Sequence, residues 1–190
     1  MDSLIRSFFE RAPADCGRIY NERSLQLELA YCFRLHGASV EFERPLKVPR
    51  PTASTCRPKS NLDLFVRNND QSFAIELKVP LNGRHPETLY DFCADLEFVE
   101  SIVGARLADR GFCLLVTDDG AFWSDSGRGS PIHDLFRRSG TILTGAVRKP
   151  TGSKDTTVVI SGQYRPVELW RDVPDSRLMS GAKYLLLEIK

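Results

Sequence analysis

NLDLFVRNNDQSFAIELK, residues 61–78, decides how the chain folds. It reads as two strands, NLDLFVR and QSFAIELKV, joined by a turn at Asn68-Asn69-Asp70, because apolar alternating runs flank a cluster of turn-forming residues. Side chains alternate across a strand. Glu76 and Lys78 therefore point to one face with Ala74, while Ile75, Leu77 and Val79 supply the other. In a hairpin the start of the first strand lies across from the end of the second, so Asp63 is expected to meet Glu76 and Lys78 at one edge of the sheet. Charged groups in strands otherwise built for a core demand an explanation, since a buried charge is costly unless it is paired.

Working outward, SLQLELAYCFRLHG reads as a helix, with Asn21 or Ser24 as its cap and Gly37 as its stop. SVEFERPLKV alternates as a strand. After the hairpin, residues 86 to about 108 form a long amphipathic helix. Its apolar stripe is Leu89, Phe92, Cys93, Leu96, Val99, Ile102, Val103 and Leu107, at i, i+3, i+4 and i+7 spacing. Asp91, Asp95, Glu97 and Glu100 read as its solvated side. FCLLVT follows as a buried strand. The order αβββαβ predicts an α/β domain with a mixed central sheet. IHDLFRRSG reads as a short helix. TILTGAVRK, TTVVISGQY, PVELWRDV and KYLLLEIK read as strands extending the same sheet in antiparallel fashion. Two loops, VPRPTASTCRPKS at 48–60 and DDGAFWSDSGRGSP at 118–131, are rich in Pro, Gly, Ser and Asp.

The chain has 190 residues and a net charge of +1. That length predicts one domain, with a core at about 24–117 and a C-terminal extension over 118–190. The charge balance excludes a global field that recruits polyanions, so any such binding falls to local patches. Five cysteines, Cys16, Cys32, Cys56, Cys93 and Cys113, show no Cys-x-x-Cys spacing. They read as small buried hydrophobes in a reducing compartment. The opening MDSLIRSFFERAPAD is too short and charged for a secretory signal, and no apolar run has membrane length. A cytoplasmic protein with no membrane partner is expected.

The chemistry centres on the carboxylates. Two of them held close together repel, and a cation relieves that. Oxygen ligands suit a hard ion such as Mg2+ or Mn2+. Lys78 beside the pair is placed to orient an attacking water or to oppose charge on a phosphoryl oxygen. On the first helix, Gln26 and Arg34 mark a polar side and Glu28 lies nearly opposite, between Cys32 and Leu35. A carboxylate on that face needs a partner.

Glu28 on a first helix, then Asp63, then Glu76-Leu77-Lys78, then a helix and a strand, resembles the PD-(D/E)XK phosphodiesterase superfamily. The match spans about 24–117. The resemblance implies a restriction-endonuclease-like fold and metal-dependent hydrolysis of nucleic acid, DNA above all. It implies that Asp63 and Glu76 bind Mg2+ or Mn2+ with the Leu77 carbonyl, that Lys78 assists the attacking water, and that Glu28 supports the site. Leu62 stands where the pattern has proline. The alternative is a catalytically inactive nuclease-like module that binds a protein or nucleic-acid partner. Oligomeric state stays open, a homodimer included.

A second match to the bare pattern lies in Pro174-Asp175 and Glu188-Ile189-Lys190, again with thirteen residues between the carboxylates. No helix and strand follow it, so its context is missing. Two acid-free basic runs are candidates for phosphate contact. One is Arg44, Lys47, Arg50, Arg57 and Lys59, and the other is Arg137, Arg138, Arg148, Lys149 and Lys154. His36, His85 and His133 show no ligand spacing, and Trp123 and Trp170 read as packing anchors.

Overall fold

The computed structural model describes residues 1–80, 83–124, 130–152 and 155–190. In chain order the elements are α1 (Asp2–Glu10), α2 (Glu22–Leu35), β1 (Ser39–Pro45), β2 (Asn61–Asn68), β3 (Gln71–Lys78), α3 (His85–Gly104) and β4 (Arg110–Thr117). A short 3-10 turn at Gly120–Phe122 leads to α4 (Pro131–Arg137), β5 (Leu143–Arg148), β6 (Thr157–Tyr164), α5 (Pro166–Leu169), β7 (Trp170–Asp172) and β8 (Lys183–Ile189). The protein is thus mixed α/β, with five helices among the described residues. None of these is long and apolar enough to cross a membrane.

Local signals place the elements that carry the charged residues. The Asn21 side chain accepts from the Ser24 backbone N–H, and Ser24 Oγ accepts from the Asn21 N–H, so both candidate caps close the start of α2 reciprocally. Between β2 and β3 the paired ends are Asn68 and Gln71, and Asn69 takes a φ of 53°, which asparagine tolerates. Helix α3 then carries the chain over the sheet, so that β4 pairs parallel to β3, as such a crossover requires.

The main sheet has six strands in the order β1-β2-β3-β4-β8-β7 and is mixed. Both of its faces are covered. On one side α1 and α2 bring Ile5, Phe8, Leu25, Leu29 and Phe33 against Leu64, Ile75, Leu77 and Leu114. On the other, α3 brings Leu89, Phe92, Leu96 and Val99 against Phe65, Ala74, Cys113 and Leu115. The strand alternation of residues 61–78 therefore sorts side chains between two buried layers, and the charged face of β3 lies under α3.

Four expectations need correction. Helix α1 replaces a start in which no element was foreseen. The C-terminal strands do not all extend the main sheet. Only β7 and β8 do, while β5 and β6 pair as a separate two-stranded ribbon. Their hold on α3 explains this: Glu97 accepts from the Val159 N–H, and Glu100 from the N–H groups of Ser161 and Gly162. PVEL begins with a proline at a helix start and turns as α5 before β7. Finally, Leu107 lies beyond the end of α3 and is exposed.

Candidate functional site

Strand pairing breaks where the acidic residues sit. The β2–β3 ladder ends at Leu64 and Ile75, and continuing its register puts Asp63 opposite Glu76. There the Leu77 N–H donates to Asp63 Oδ2 at 2.8 Å instead of to a backbone carbonyl. On the other side, β1 skips its pairing at Glu43, whose φ is 47°. The Asp63 carbonyl accepts from Gln26 Nε2 at 2.7 Å. A non-glycine residue held at positive φ, and a side chain substituting for a backbone acceptor, mark a locally constrained edge of the kind found at functional sites.

Asp63 is 7% exposed and Glu76 1%. Glu76 faces Asp95, 4% exposed, across from it on α3. Lys59, two residues before β2, spans the gap. Its Nζ donates to Glu76 Oε2 at 2.5 Å and to Asp95 Oδ1 at 2.7 Å. Lys78 Nζ lies 3.0 Å from Asp95 Oδ2 and 3.5 Å from Glu22 Oε2 at the start of α2. Burial pushes the Glu76 carboxyl well above the usual carboxylate range, with the charges of Asp95 and Asp63 adding to it and Lys59 opposing. Burial disfavours the Lys59 and Lys78 ammonium ions. In both, Asp95 leads the carboxylates that outweigh it, and each lysine ends above its ordinary value.

The structure brings Asp63, Glu76 and Lys78 together. It does not bring Glu28 to them. Glu28 lies against the segment before α2, where its Oε1 is the atom that a Cβ on Gly17 would meet. The nearby Cys16 thiol is pushed up to about 12, by burial first and then by a hydrogen bond to Glu28. The side of α2 that meets Asp63 is the polar one, not the one that carries Glu28. Gln26, on that polar side, is the side chain that meets Asp63. One turn earlier on the same face, Glu22 is the helix carboxylate that reaches Lys78.

Asp95 and Lys59 escaped the sequence as members of this cluster. The expected solvated face of α3 holds only for exposed Asp91: Glu100 is half-buried and accepts from β6, and Asp95 and Glu97 are both buried. Lys59 was legible only as one member of a basic run. Most of that run is committed inward. Arg44 lies over the Phe65 ring at 3.9 Å, and Arg50 bonds Ser54 and Cys56 and pairs with Glu97 at 3.6 Å. Lys47 and Arg57 remain exposed, with no ion pair among the described residues. Thr55 and Cys56 donate their N–H groups to the Thr157 carbonyl, which ties this loop to the β5–β6 ribbon. Of the second run, Arg137 is buried, Arg138 is 4.0 Å from Asp134, Arg148 is exposed, and Lys149 acts on Asp91 and Glu87. Lys154 lies outside the described residues, as does part of the 118–131 loop.

The C-terminal match is dispersed. Asp175 pairs with Arg177 beside α1, while Glu188 pairs with Arg110 and lies 3.7 Å from Lys190. Trp123 and Trp170 pack together with ring centroids 5.7 Å apart.

Among the described residues, no group of three or more His, Cys, Asp or Glu side chains is gathered so as to hold a metal ion. An ammonium stands between Glu76 and Asp95 instead. The donors nevertheless suit a hard divalent ion. All are oxygens, and Glu76 Oε1 is buried against the Asp63 carboxyl with no N–H donor. Comparison of the chain with known protein families, with curated proteins and with solved structures gives no match.

Proposed function

We propose that this protein hydrolyses nucleic-acid phosphodiesters with the help of Mg2+ or Mn2+, on a restriction-endonuclease-like core of the PD-(D/E)XK type. The observation that carries the reading is Glu76: fully buried, one oxygen set against the Asp63 carboxyl with no N–H donor, and on the same strand face as Lys78. The succession α2, β1, β2, β3, α3, β4 supports the fold assignment. Asp63, Glu76 and the Leu77 carbonyl would hold the ion. Bound there, a divalent ion supplies Lewis-acid stabilisation of phosphoryl charge and acidifies coordinated water.

The chain's own groups define the rest of the chemistry. The Lys78 ammonium, kept charged by Asp95 and Glu22, orients a water for attack and opposes negative charge on a phosphoryl oxygen. Asp95 fixes where that ammonium points. Gln26 holds the Asp63 backbone, and the Leu77 N–H holds its carboxylate, so the ligand pair is set before substrate arrives. Lys47, Arg57 and Arg148 offer exposed positive charge for phosphates, with DNA the expected substrate.

The test is cleavage of single-stranded, duplex and flap DNA and of RNA with each metal. Lys78→Ala is expected to lower the rate by about 10²–10⁴-fold while sparing Mn2+ binding. No cleavage of any substrate, with nucleic-acid binding unaffected by Asp63→Ala, would favour the second reading, a non-catalytic binding module. One observation speaks for that reading: Lys59 and Lys78 already neutralise Glu76 and Asp95.

A further inference from the structure

Lys59 holds a position that no requirement of β2 explains. It precedes the strand, and its stem crosses to α3 to place one ammonium between two carboxylates that are otherwise sealed from water. We propose that Lys59 is a built-in occupant of the metal seat, a tethered cation that a divalent ion must displace from Glu76 and Asp95, and that Asp95 draws in beside Asp63 and Glu76 as a ligand only once the ammonium has left. The inference rests on the reading of this site as a metal centre and adds how its occupancy is controlled.

Three features support it. The first is charge. Asp63, Glu76, Asp95 and Glu22 converge on two ammonium groups, so the carboxyl groups outnumber the cations that face them. A divalent ion in place of the Lys59 ammonium brings more positive charge to Glu76 and Asp95 with Lys78 still in place. The second is the donor set. Lys59 satisfies Glu76 Oε2 and leaves Oε1 buried against the Asp63 carboxyl, an oxygen–oxygen approach that needs a shared proton or a cation. A singly charged, three-donor group cannot serve all the oxygens that converge there. The third is access. The Lys59 side chain is 30% exposed, against 1% for Glu76 and 6% for Asp95, so it is the member of the cluster with a route to solvent. Its departure need not disturb the loop behind it, because Thr55 and Cys56 anchor that loop to Thr157 independently. Lys78 is not the displaced group. It is less exposed, and it retains Glu22 and Asp95 Oδ2 as partners.

Occupancy by Lys59 has a functional consequence. The metal-free site stays folded with an ammonium between Glu76 and Asp95, and it stays closed to the ion until the divalent concentration outcompetes a ligand of fixed local concentration. Displaced Lys59 becomes an extra exposed cation at the mouth of the site, available to a substrate phosphate.

The experiment titrates the full-length protein with Mn2+ by calorimetry and by the electron paramagnetic resonance signal of free Mn2+. Wild type is compared with Lys59→Met, Glu76→Gln, and Lys59→Met combined with Asp95→Asn. Lys59→Met is expected to bind Mn2+ at least about tenfold more tightly than wild type, since a competing charge at contact distance is removed. Asp95→Asn is expected to erase the gain. A parallel measurement avoids any folding defect of the variant. Wild-type protein is pulse-labelled with an acetylating reagent, with and without Mn2+, and each lysine is followed by mass spectrometry. Lys59 is expected to be protected without Mn2+ and to become several-fold more reactive with it, while Lys78 does not change. If Glu76→Gln abolishes Mn2+ binding but Lys59→Met leaves affinity unchanged and Lys59 labelling is indifferent to Mn2+, the displacement is wrong and the metal site stands. If neither wild type nor Lys59→Met binds Mn2+, both the displacement and the metal reading are overturned.

Discussion

Lys59 and Lys78 share Asp95, yet they are held differently. Lys59 bridges two carboxylates, whereas Lys78 is tethered by Asp95 on one side and by half-buried Glu22 on the other. Asp95 is thus the side chain on which both ammonium ions depend. Removing one partner of a buried charge pair leaves the other charge desolvated, at a cost of about 3–5 kcal/mol. Asp95→Ala is expected toward the lower end of that range, because each lysine keeps a second carboxylate. Urea denaturation without metal measures it. Glu28→Gln is the control from the opposite side of α2. Its contacts lie with Cys16 and Gly17, so Mn2+ affinity is expected to match wild type. A large loss of Mn2+ affinity in Glu28→Gln would restore the helix carboxylate that the sequence pattern suggested.

Among the elements, α3 does most to organise this half of the molecule. Its acidic residues divide the labour. Asp95 faces the site. Glu97 accepts from Ser54 Oγ at 2.8 Å and from the Val159 N–H at 2.6 Å, which clamps the 48–60 loop and the β5–β6 ribbon to one helix. Glu97→Ala would leave the Val159 N–H without its acceptor, while Ser54 keeps the Thr157 carbonyl and Arg50 keeps Ser54 and Cys56. An unsatisfied buried group costs about 1–3 kcal/mol, and a loss in that range is expected in thermal or urea unfolding. After β4 the chain turns on Asp119, whose Oδ1 accepts from the Ala121 N–H and whose Oδ2 lies 2.6 Å from His85 Nε2. The hydrogen bond to His85 holds the Asp119 carboxyl below the ordinary aspartate value. A carboxylate depressed by folding stabilises at pH above its unfolded value, and that contribution is lost as pH falls through the folded one. Asp119→Ala is therefore expected to cost about 1 kcal/mol at neutral pH. The gap to wild type should close as the pH falls below the ordinary aspartate range. A gap that stays constant into acid would mean that the carboxylate charge contributes nothing.

At the scale of the whole molecule, a near-neutral chain has to concentrate its positive charge to hold a polyanion. The fold ties the loop that carries Lys47 and Arg57 to the ribbon that carries Arg148 and Lys149, through Thr55, Cys56 and Thr157, and under the proposed function these are the groups that would meet phosphates. Phosphate contacts release counterions, and each one lost lowers the slope of log affinity against log salt by about 0.9 on duplex DNA. Replacing both Lys47 and Arg57 with alanine is expected to reduce that slope by about 2 in fluorescence anisotropy. The fold should be untouched, since neither side chain makes an ion pair among the described residues. An unchanged slope would remove Lys47 and Arg57 from the proposed phosphate contacts.

Much of this architecture is written in local pattern. Two-residue alternation gave the β2–β3 hairpin and set Asp63 across from Glu76. The 3.6-residue stripe gave α3, and Asn21 with Ser24 gave the start of α2. These follow from short-range geometry, which acts between neighbours in sequence. The partners of the buried charges were not written there. Lys59 and Asp95 are 36 residues apart, and Lys78 and Glu22 are 56 apart. Periodicity says which residues of a helix share a face, but not which face turns toward a break in a neighbouring sheet. Gln26 and Asp95 looked like solvent positions because polar residues usually are. Gln26 is half-buried because the ladder fails at Asp63, whose carbonyl it meets, and Asp95 is buried because Lys59 and Lys78 converge on it from elsewhere in the chain. That choice belongs to tertiary packing, where a buried charge must find its counterpart wherever the chain can deliver one.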